Sequence, residues 1–447
     1  MEHWPQVVVG AGGCGMVAAL ALARGGSEVL LLEKGDKPGG NTALSTGLVP
    51  AAGTRFQRDA GILDDTPETM AEDIFSKNKH QSDIELTRRL CEVSAELVEW
   101  LVDEIECELI CYTDFLYPGQ SCFRMHGPPQ DYGAGLVRQL ANAVKEEPAI
   151  QLRLSTPVRD LVFDGDKATG VRTDDGPLET SSVILALDGF GGNAEMVTGR
   201  IGPKVAAALY FGSPNNIGDG IRWGMSTGAA TEYLDAYQGH GSVAVPNGPL
   251  VTWGLVTNGA ILVNRHGRRF GDESRGYSEF ASAVLEQPGG DAWEIFDERT
   301  YTASRGTRFE EVISAGKVIR GETLKVLAAK LGIPSDVLAE TVAAANRVLD
   351  GKEPDAFGRP SFASGVMEPS FYGIHICGAL FHTQGGLKVD THARVLRPDS
   401  TVIPGLYAGG GTAVGISGRG AEGYLAGNGL LSALGLGKIA AEASLRD

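Results

Sequence analysis

Three glycines near the start of the chain have the spacing of a phosphate-binding turn. Residues 7–9 read as a buried strand, and Gly10, Gly12 and Gly15 then follow in a G-x-G-x-x-G arrangement that leads into an apolar helix. Such glycines permit a sharp turn, a close approach of the backbone to a pyrophosphate at a helix N-terminus, and tight packing of the helix on the strand. Glu33 ends the second apolar strand, where a carboxylate can bind a ribose 2′-OH. The pattern predicts a dinucleotide-binding βαβ unit.

The loop that follows Glu33 favours FAD over NAD. Residues 34–47 are polar and rich in glycine and hydroxyl groups, so their amides and hydroxyls can surround a second phosphate or the edge of a flavin. Residues 34–50 contain no histidine that could attach the flavin covalently, so non-covalent FAD is expected. The candidate cofactor-binding residues of this part are Gly10, Gly12, Gly13, Gly15, Glu33, Lys34, Gly40, Asn41, Thr42, Ser45 and Gly47.

The composition argues against several other classes of protein. The net charge is −17 and no basic cluster is present, so nucleic acid is not an expected partner. The longest apolar runs are far shorter than the ~20 residues that a membrane span needs. The first strand begins almost at once, which leaves no room for a signal peptide and predicts a cytoplasmic protein. The six cysteines contain no C-x-x-C pair, so we expect free thiols, no metal and no iron–sulfur cluster.

A chain of 447 residues exceeds the usual size of one compact core, so two domains are expected. Apolar periodicity predicts helices within 65–110, and alternation predicts strands within 150–190. Further helices are predicted around Leu324 and Leu338, and a last one from Leu430 to Ala443. We predict an α/β fold in which a Rossmann-like FAD-binding domain, 1–232 and 371–447, carries an inserted α+β cap domain, 233–370.

Three further segments match a known group of flavoproteins in the right order. They are Val183-Ile184-Leu185-Ala186-Leu187-Asp188-Gly189-Phe190-Gly191, Gly218-Asp219-Gly220 and Pro404-Gly405-Leu406-Tyr407-Ala408-Gly409-Gly410. With the N-terminal motif, the chain resembles the superfamily of fumarate reductases, succinate dehydrogenases and 3-ketosteroid Δ1-dehydrogenases. The resemblance implies bound FAD and adds as contacts Val158, beside the adenine, and Asp219, Gly410, Asn428, Gly429 and Leu430. Many members have a glutamate where Gly411 stands, so the ribityl contact that this glutamate makes is not expected here.

The chain departs from the fumarate reductases at their catalytic positions. Tyr277 takes the place of the arginine that hands a proton to the substrate, and Arg275 lies two residues earlier. Trp253 and Val256 stand where the acid and the base of the proton relay would be, and Tyr424 replaces the arginine that binds the substrate. Without these groups an arginine has no proton relay, so fumarate reduction is disfavoured.

Two tyrosines at these positions are similar to those of the ketosteroid dehydrogenases. The resemblance implies that Tyr277 removes the proton next to a ketone and that Tyr424 donates a hydrogen bond to the ketone oxygen, while a hydride passes from the β carbon to flavin N5. A donor at the oxygen stabilises the developing enolate and so lowers the barrier to proton abstraction. Because a tyrosine ionises near pH ~10, a positive charge such as Arg275 or a helix dipole must assist the base.

His240 and His382 match the carboxylate-binding histidines of the fumarate reductases, and His126 and Trp253 are further candidates for the substrate pocket. The combination predicts desaturation of a small cyclic ketone with a polar group, for example 4-oxocyclohexanecarboxylate. Alternatives are an alkene reductase in which Arg275 is the acid, a 3-ketosteroid Δ1-dehydrogenase, and a flavin subunit that transfers electrons to an iron–sulfur partner. Oxygen, a quinone or a carrier protein would accept the electrons.

The histidine-free loop predicts how the cofactor is released. Acid precipitation should transfer all of the flavin to the supernatant, because no covalent bond holds it, and mass spectrometry should identify it as FAD. A yellow pellet would contradict this prediction.

Overall fold

The computed structural model describes residues 2–349, 351–360 and 367–447, which form two compact units. Unit 1 comprises Met1–Gly202, Gly212–Tyr237 and His382–Asp447, and unit 2 comprises Pro203–Phe211 and Gln238–Phe381. These limits differ from the predicted domain boundaries, above all because 203–211 belongs to unit 2. The reason is that Leu209–Tyr210 pairs in parallel with the long strand Phe371–Thr383.

The main sheet of unit 1 is built on parallel strands. Its spatial order is Arg394–Leu396, Val402–Ala408, Gly176–Leu185, Glu2–Val9, Val29–Leu32 and Ile150–Arg153. All neighbours in this order are parallel except Arg394–Leu396, which is antiparallel to Val402–Ala408. Gln6 to Val9 are buried, as expected for a strand covered on both faces. The strands predicted within 150–190 are also present: Val158–Asp164 pairs with Lys167–Thr173, which pairs in turn with Gly176–Leu185.

The strand register aligns the ends of the central strands. Val9 lies opposite both Leu32 and Leu185, and Ala408 also lies opposite Leu185. The segments that follow these residues therefore leave the sheet at one edge, which is where parallel α/β sheets bind their ligands. The structure confirms the predicted α/β class and Rossmann-like arrangement.

Helices flank this sheet, and the predicted ones are present. Thr66 caps the helix Pro67–Asn78 by accepting a hydrogen bond from Thr69 N. Asp83 caps the helix Ile84–Asp103 by accepting one from Leu86 N. The other helices of unit 1 are Gly13–Arg24, Gly40–Leu44, Arg55–Asp59, Tyr132–Glu146, Ala194–Arg200, Asp219–Ser226 and Asn428–Ser444, with a 3₁₀ turn at Gly410–Thr412. Its remaining strands are Val49–Pro50, Ile110–Tyr112, Met125–Gly127, Thr231–Glu232 and Gly386–Leu387.

Unit 2 is built around the long strand Phe371–Thr383. This strand pairs with Asp291–Asp297, Ile319–Gly321, Leu209–Tyr210 and Tyr237–Ala244, and Ile261–Val263 extends the sheet beyond Asp291–Asp297. The helices are Pro203–Ala206, Gly254–Thr257, Tyr277–Leu285, Glu298–Ala303, Phe309–Ser314, Leu324–Leu331 and Ser335–Leu349, with a 3₁₀ turn at Glu273–Arg275. The two helices predicted around Leu324 and Leu338 are thus confirmed. Alternating side chains of Asp291–Asp297 enter two apolar clusters, since Ala292 and Phe296 belong to one and Ile295 to the other.

A carboxyl group lies in the apolar interior of unit 2. Glu294 is fully buried, and its side chain shares a strand face with Ala292 and Phe296. Ser242 Oγ donates a hydrogen bond to Glu294 Oε2 at 2.6 Å, whereas Oε1 has no hydrogen-bond partner among the described residues. Burial raises the pKa of Glu294 to about 8. The side chain is therefore protonated at neutral pH, which avoids an uncompensated charge in the core.

This raised pKa predicts a pH-dependent stability. The folded pKa of about 8 exceeds the ordinary value of 4.5, so the contribution of Glu294 is complete below pH 4.5 and is lost as the pH rises to about 8. The loss amounts to ~1.4 kcal/mol per pH unit within that window. We expect Glu294→Gln to remove this slope from the free energy of unfolding, measured by denaturant titration between pH 5 and 8.

Glu322→Gln is the matched control, because Glu322 is an exposed glutamate of the same unit with 69% of its side-chain area accessible. It should retain the pH slope of the wild-type protein. If the free energy of unfolding changed with pH equally in Glu294→Gln and in the wild type, Glu294 would be ionised in the folded state. That result would contradict the prediction.

Candidate functional site

The glycine turn of unit 1 has the geometry that its motif predicts. Gly10 has φ +102°, and a Cβ atom there would lie 2.3 Å from Ala186 O. A Cβ at Gly15 would lie 1.8 Å from Gly10 O, so both positions require glycine for packing. A Cβ at Gly12 would meet nothing closer than Gly39 O at 3.9 Å. Gly12 therefore leaves open space next to the backbone, as a phosphate would need.

Glu33 connects the second strand to this turn. Its Oε2 accepts a hydrogen bond from Ala11 N at 2.9 Å, and its Oε1 accepts one from Gly35 N at 2.7 Å. Thr42 Oγ1 accepts from Gly13 N at 3.2 Å and so attaches the following loop to the same helix start. A carboxylate oxygen retains a further lone pair, so the geometry of Glu33 is compatible with an additional hydroxyl donor.

Lys34 and Asp219, both predicted to contact the cofactor, form an ion pair of 3.2 Å. Lys34 Nζ also donates to Asn215 O at 2.5 Å, and Arg222 forms a second ion pair with Asp219. These contacts attach the loop after the second strand to the start of the helix Asp219–Ser226. Their geometry gives both residues a role in shaping the loop.

Two buried polar atoms of unit 1 have no partner among the described residues. Asn41 Oδ1 accepts a hydrogen bond from Ser213 N at 2.7 Å, but Nδ2 of the same side chain donates to no atom of the described residues. The Oδ1 atom of Asn428 is likewise without a donor in the described part of the chain. Because an unsatisfied buried polar group costs ~1–3 kcal/mol, such atoms are typical of a ligand site. The phosphate, ribityl and ring groups of FAD include both hydrogen-bond acceptors and hydrogen-bond donors. Asn41 and Asn428 therefore fit this cofactor.

The remaining predicted cofactor residues lie at turns and helix starts of unit 1. Ser45 Oγ donates to Thr42 O at 2.8 Å and accepts from Gly47 N at 3.0 Å, which closes the turn after the helix Gly40–Leu44. Gly410 lies against Cys14, since a Cβ at Gly410 would be 3.4 Å from Cys14 Cβ. Val158 is buried at the start of its strand, and Asn428, Gly429 and Leu430 form the first turn of Asn428–Ser444.

Asp188, which follows the central strand Gly176–Leu185, was not among the predicted site residues. It has φ +66°, and its carboxylate accepts hydrogen bonds from Gly189 N at 2.8 Å and from Asn216 Nδ2 at 2.7 Å. A Cβ at Gly411 would lie 2.3 Å from Asp188 Oδ1, so the carboxyl group needs a glycine there. Burial raises the pKa of Asp188, and the hydrogen bonds from Gly189 N and Asn216 partly oppose the rise. An acidic residue three positions after the end of a buried strand is the signal that could have found it.

Within unit 1, the structure brings His382 and Tyr424 together. Their rings meet edge to face with centroids 5.7 Å apart. Gln384 Nε2 donates to His382 Nδ1 at 2.9 Å, and Ser417 Oγ donates to Gln384 Oε1 at 2.8 Å. Burial lowers the pKa of His382, although the negative charge of Asp188 acts in the opposite direction. His382 is therefore a neutral imidazole in contact with the ring of Tyr424.

Within unit 2, the structure brings together three predicted residues. The His240 ring stacks on Tyr277 with centroids 4.9 Å apart and on Phe381 at 5.3 Å, and Trp253 meets it edge-on at 5.8 Å. Ser242 N donates to His240 Nδ1 at 3.1 Å, and burial lowers the pKa of His240 to about 3. The Trp253 indole N–H is buried and has no partner among the described residues.

Arg275 and Val256 have surroundings unlike those of a proton relay. Arg275 pairs with Glu279 at 2.5 Å, and 56% of its side-chain area is exposed. Val256 is buried, and its carbonyl accepts a hydrogen bond from Arg359 Nη2 at 2.7 Å. Arg359, which the sequence analysis missed, also contacts Glu273 at 3.3 Å and belongs to a buried ionic network that secures this part of unit 2.

His126 is fully buried, and both of its ring nitrogens have protein partners. Nδ1 donates to Arg124 O at 3.0 Å, and Nε2 accepts from Thr54 Oγ1 at 2.9 Å. Burial lowers the pKa of His126 to about 4. Because neither nitrogen is left for a ligand, we do not include His126 in the proposed substrate site.

Across residues 2–349, 351–360 and 367–447, no group of three or more metal-ligating side chains is found. The six cysteines are free thiols. No helix in these ranges is both long enough and apolar enough to cross a membrane.

The chain belongs to the FAD binding domain family, whose model matches residues 6–430. It is 32% identical over 447 residues to "Fumarate reductase (cytochrome)" of Shewanella frigidimarina, covering 98% of this chain and 76% of that protein. The open conformation of a flavocytochrome c3 fumarate reductase is similar with a TM-score of 0.83 and 30% identity, covering 100% of this chain and 78% of the other. A 3-ketosteroid Δ1-dehydrogenase from Sterolibacterium denitrificans shares the fold at a TM-score of 0.80 and 20% identity, with 100% of both chains covered.

These similarities confirm the superfamily resemblance and FAD as the cofactor. The protein is an FAD-dependent oxidoreductase of the fumarate reductase flavoprotein group.

The unpaired amide of Asn41 predicts a specific effect on FAD affinity. In Asn41→Asp the acceptor for Ser213 N is kept, but the donor is lost and a negative charge is added near the phosphate turn. The Kd for FAD should rise about 10- to 100-fold, measured by fluorescence titration of the apoprotein.

Asn193→Asp is the matched control, because both amide atoms of Asn193 already have partners, Met196 N and Ile217 O. Aspartate is also a good helix cap at that position. Its Kd for FAD should equal that of the wild type. Unchanged FAD affinity in Asn41→Asp would remove Asn41 from the cofactor site.

Proposed function

We propose that this flavoprotein desaturates a small cyclic ketone that carries a polar group, such as 4-oxocyclohexanecarboxylate. The observation that carries the proposal is that each unit pairs a tyrosine with a neutral histidine, Tyr424 with His382 and Tyr277 with His240. Phenol groups suit the removal of a proton next to a ketone and the stabilisation of the enolate. Neutral imidazoles suit hydrogen bonding to a polar end of the substrate.

Tyr277 is the proposed base. It is the first residue of the helix Tyr277–Leu285, and the partial positive charge at a helix N-terminus favours negative charge nearby. The ring is held on one side by stacking against His240, which limits its motion. Arg275 is two residues away but forms an ion pair with Glu279, so the helix terminus is the better-supported source of assistance.

Tyr424 is the proposed donor to the ketone oxygen. Its side chain is 7% exposed, and its ring is held edge-on by His382. A hydrogen bond to the oxygen is stronger in the enolate than in the ketone, so this contact lowers the barrier to proton removal. When bound, FAD supplies the acceptor for the hydride that leaves the β carbon.

The candidates for binding the polar group are His240 and Trp253 in unit 2 and, separately, His382 in unit 1. The unpaired indole N–H of Trp253 is a buried donor beside His240, and such a group gains a hydrogen bond when an acceptor binds. A four-ring hydrocarbon offers little to these donors, which favours a small polar ketone over a steroid.

Reduction of an unsaturated acid is the second candidate, supported by the 32% identical relative named as a fumarate reductase. In that reaction Arg275 would have to supply the proton. The exposure of Arg275, its ion pair with Glu279 and the apolar side chain of Val256 weaken this candidate.

Replacing the proposed base tests the function. In Tyr277→Phe the ring packing is kept and the proton acceptor is lost, so flavin reduction by the ketone should slow by ~10²–10⁴-fold with FAD still bound. Tyr424→Phe should lower kcat, because it removes stabilisation that develops with the enolate. Anaerobic stopped-flow absorbance of the flavin measures both.

Tyr301→Phe is the matched control, since Tyr301 is a tyrosine of unit 2 that packs on Tyr372 and Phe309. It should react as fast as the wild type. Near-normal rates in Tyr277→Phe would assign the base to another residue. If reduced viologen drives fumarate or urocanate reduction while cyclic ketones leave the flavin oxidised, the protein is a reductase and the proposal fails. Faster flavin reduction by a 3-ketosteroid would identify a steroid dehydrogenase.

A further inference from the structure

A chain of hydrogen bonds in unit 1 ends on His382. Asn428 Nδ2 donates to Ser417 Oγ at 3.3 Å, Ser417 Oγ donates to Gln384 Oε1 at 2.8 Å, and Gln384 Nε2 donates to His382 Nδ1 at 2.9 Å. The exposed fractions of Gln384, Ser417 and Asn428 are only 5%, 1% and 1%. All three hydrogen bonds are donated in the direction of His382, and water has little access to them.

The backbone holds Gln384 in this orientation. Gln384 N donates to Ala236 O, and Gly415 N donates to Gln384 O, both at 2.8 Å. A Cβ at Gly415 would lie 3.0 Å from Gln384 Oε1, so the side chain is packed closely against that glycine. Contacts with Ala236 and with Gly415, which belong to two different segments, therefore fix the position of Gln384 and its side-chain amide.

This series of hydrogen bonds determines which ring nitrogen of His382 carries the proton. A neutral imidazole has a single N–H, and the nitrogen that accepts a hydrogen bond cannot carry it. Nδ1 accepts from Gln384 at 2.9 Å, whereas its contact with Thr383 O is 3.4 Å. If the ring were protonated on both nitrogens, the amide of Gln384 would face another donor. The proton therefore lies on Nε2.

The Nε2 edge is kept uncovered by a glycine. A Cβ at Gly429 would lie 2.9 Å from His382 Nε2 and 2.7 Å from Cε1. Any other residue at the second position of the helix Asn428–Ser444 would collide with this edge of the ring. Gly429 thus leaves the N–H of His382 room for an acceptor atom.

We propose that Gln384 is a positioning residue that holds His382 as the Nε2–H tautomer and so makes it a neutral hydrogen-bond donor. Such a donor selects an acceptor on the ligand, meaning a carbonyl or carboxylate oxygen, and disfavours an ammonium group or another donor. The identity of that ligand as the ketone substrate rests on the proposed function. The tautomer does not depend on it.

His240 in unit 2 reaches the same tautomer by different means. Its Nδ1 accepts from the backbone N–H of Ser242, which no substitution except proline removes. His126 is the opposite tautomer, because its Nδ1 donates to Arg124 O and its Nε2 accepts from Thr54. These two histidines serve as internal references that a change at Gln384 should not affect.

Histidine ring ¹⁵N chemical shifts test the proposal. The holoenzyme is labelled with ¹⁵N-histidine, and the signals are assigned with His382→Gln, His240→Gln and His126→Gln. In the wild type, His382 and His240 should show the Nε2–H pattern and His126 the Nδ1–H pattern. In Gln384→Met the remaining neighbour of Nδ1 is Thr383 O, an acceptor, so His382 should change to Nδ1–H.

Gln384→Glu is a second variant that retains the size of the side chain. A carboxylate cannot donate, so His382 should again be protonated on Nδ1. Gln120→Met is the matched control, because Gln120 is another buried glutamine of unit 1 and donates to Ala426 O. It should leave His382 as Nε2–H.

An Nδ1–H or doubly protonated His382 in the wild type would overturn the proposal. So would an Nε2–H His382 in either Gln384 variant. With the ketone carboxylate as substrate, Gln384→Met should raise KM about 10-fold while kcat is largely kept, since the lost contact is similar in ground and transition states. If no ketone is turned over, the proposed function fails, and the ¹⁵N shifts still decide the role of Gln384.

Discussion

The register of the parallel strands in unit 1 is the constraint on which the cofactor site depends. Val9, Leu32, Leu185 and Ala408 lie level across the sheet, so the residues that follow them leave it at one edge. The glycine turn, Glu33, Asp188 and the Gly410 turn are thereby gathered from four distant parts of the sequence. A shift of one residue in any of these strands would move its turn and reverse its side chains.

Close packing then limits which residues this edge can contain. Gly15 touches the carbonyl of Gly10, and Gly411 leaves room for the carboxylate of Asp188. Glycine is required at these positions because another backbone or side-chain atom occupies the space of a Cβ. At Gly12 the same absence of a side chain leaves room for a ligand. Glycines of one motif thus have different physical roles.

Neutral polar groups in apolar surroundings are the common feature of the two units. His240, His382 and Glu294 all have pKa values shifted by burial toward the uncharged form. Each is held by a specific hydrogen bond, from Ser242 N, Gln384 and Ser242 Oγ respectively. The protein therefore presents directed hydrogen bonds at these positions and no net charge. Directed hydrogen bonds distinguish acceptors from donors, whereas a charge attracts any group of opposite sign.

Local patterns in the sequence determined the fold class, the glycine turn and most helices, because strand burial, helix periodicity and capping depend on neighbouring residues. The apolar run before Gly10 and the capped helix after Thr66 are examples. Only the tertiary structure decided the role of Gln384, the pairing of Asp188 with Gly411, the buried state of Glu294 and the assignment of 203–211 to unit 2. Each of these depends on a partner remote in the sequence, such as Ser417 for Gln384 and Ser242 for Glu294. The tautomer of a histidine is the clearest case, since it is determined by whichever donor or acceptor the fold places beside Nδ1.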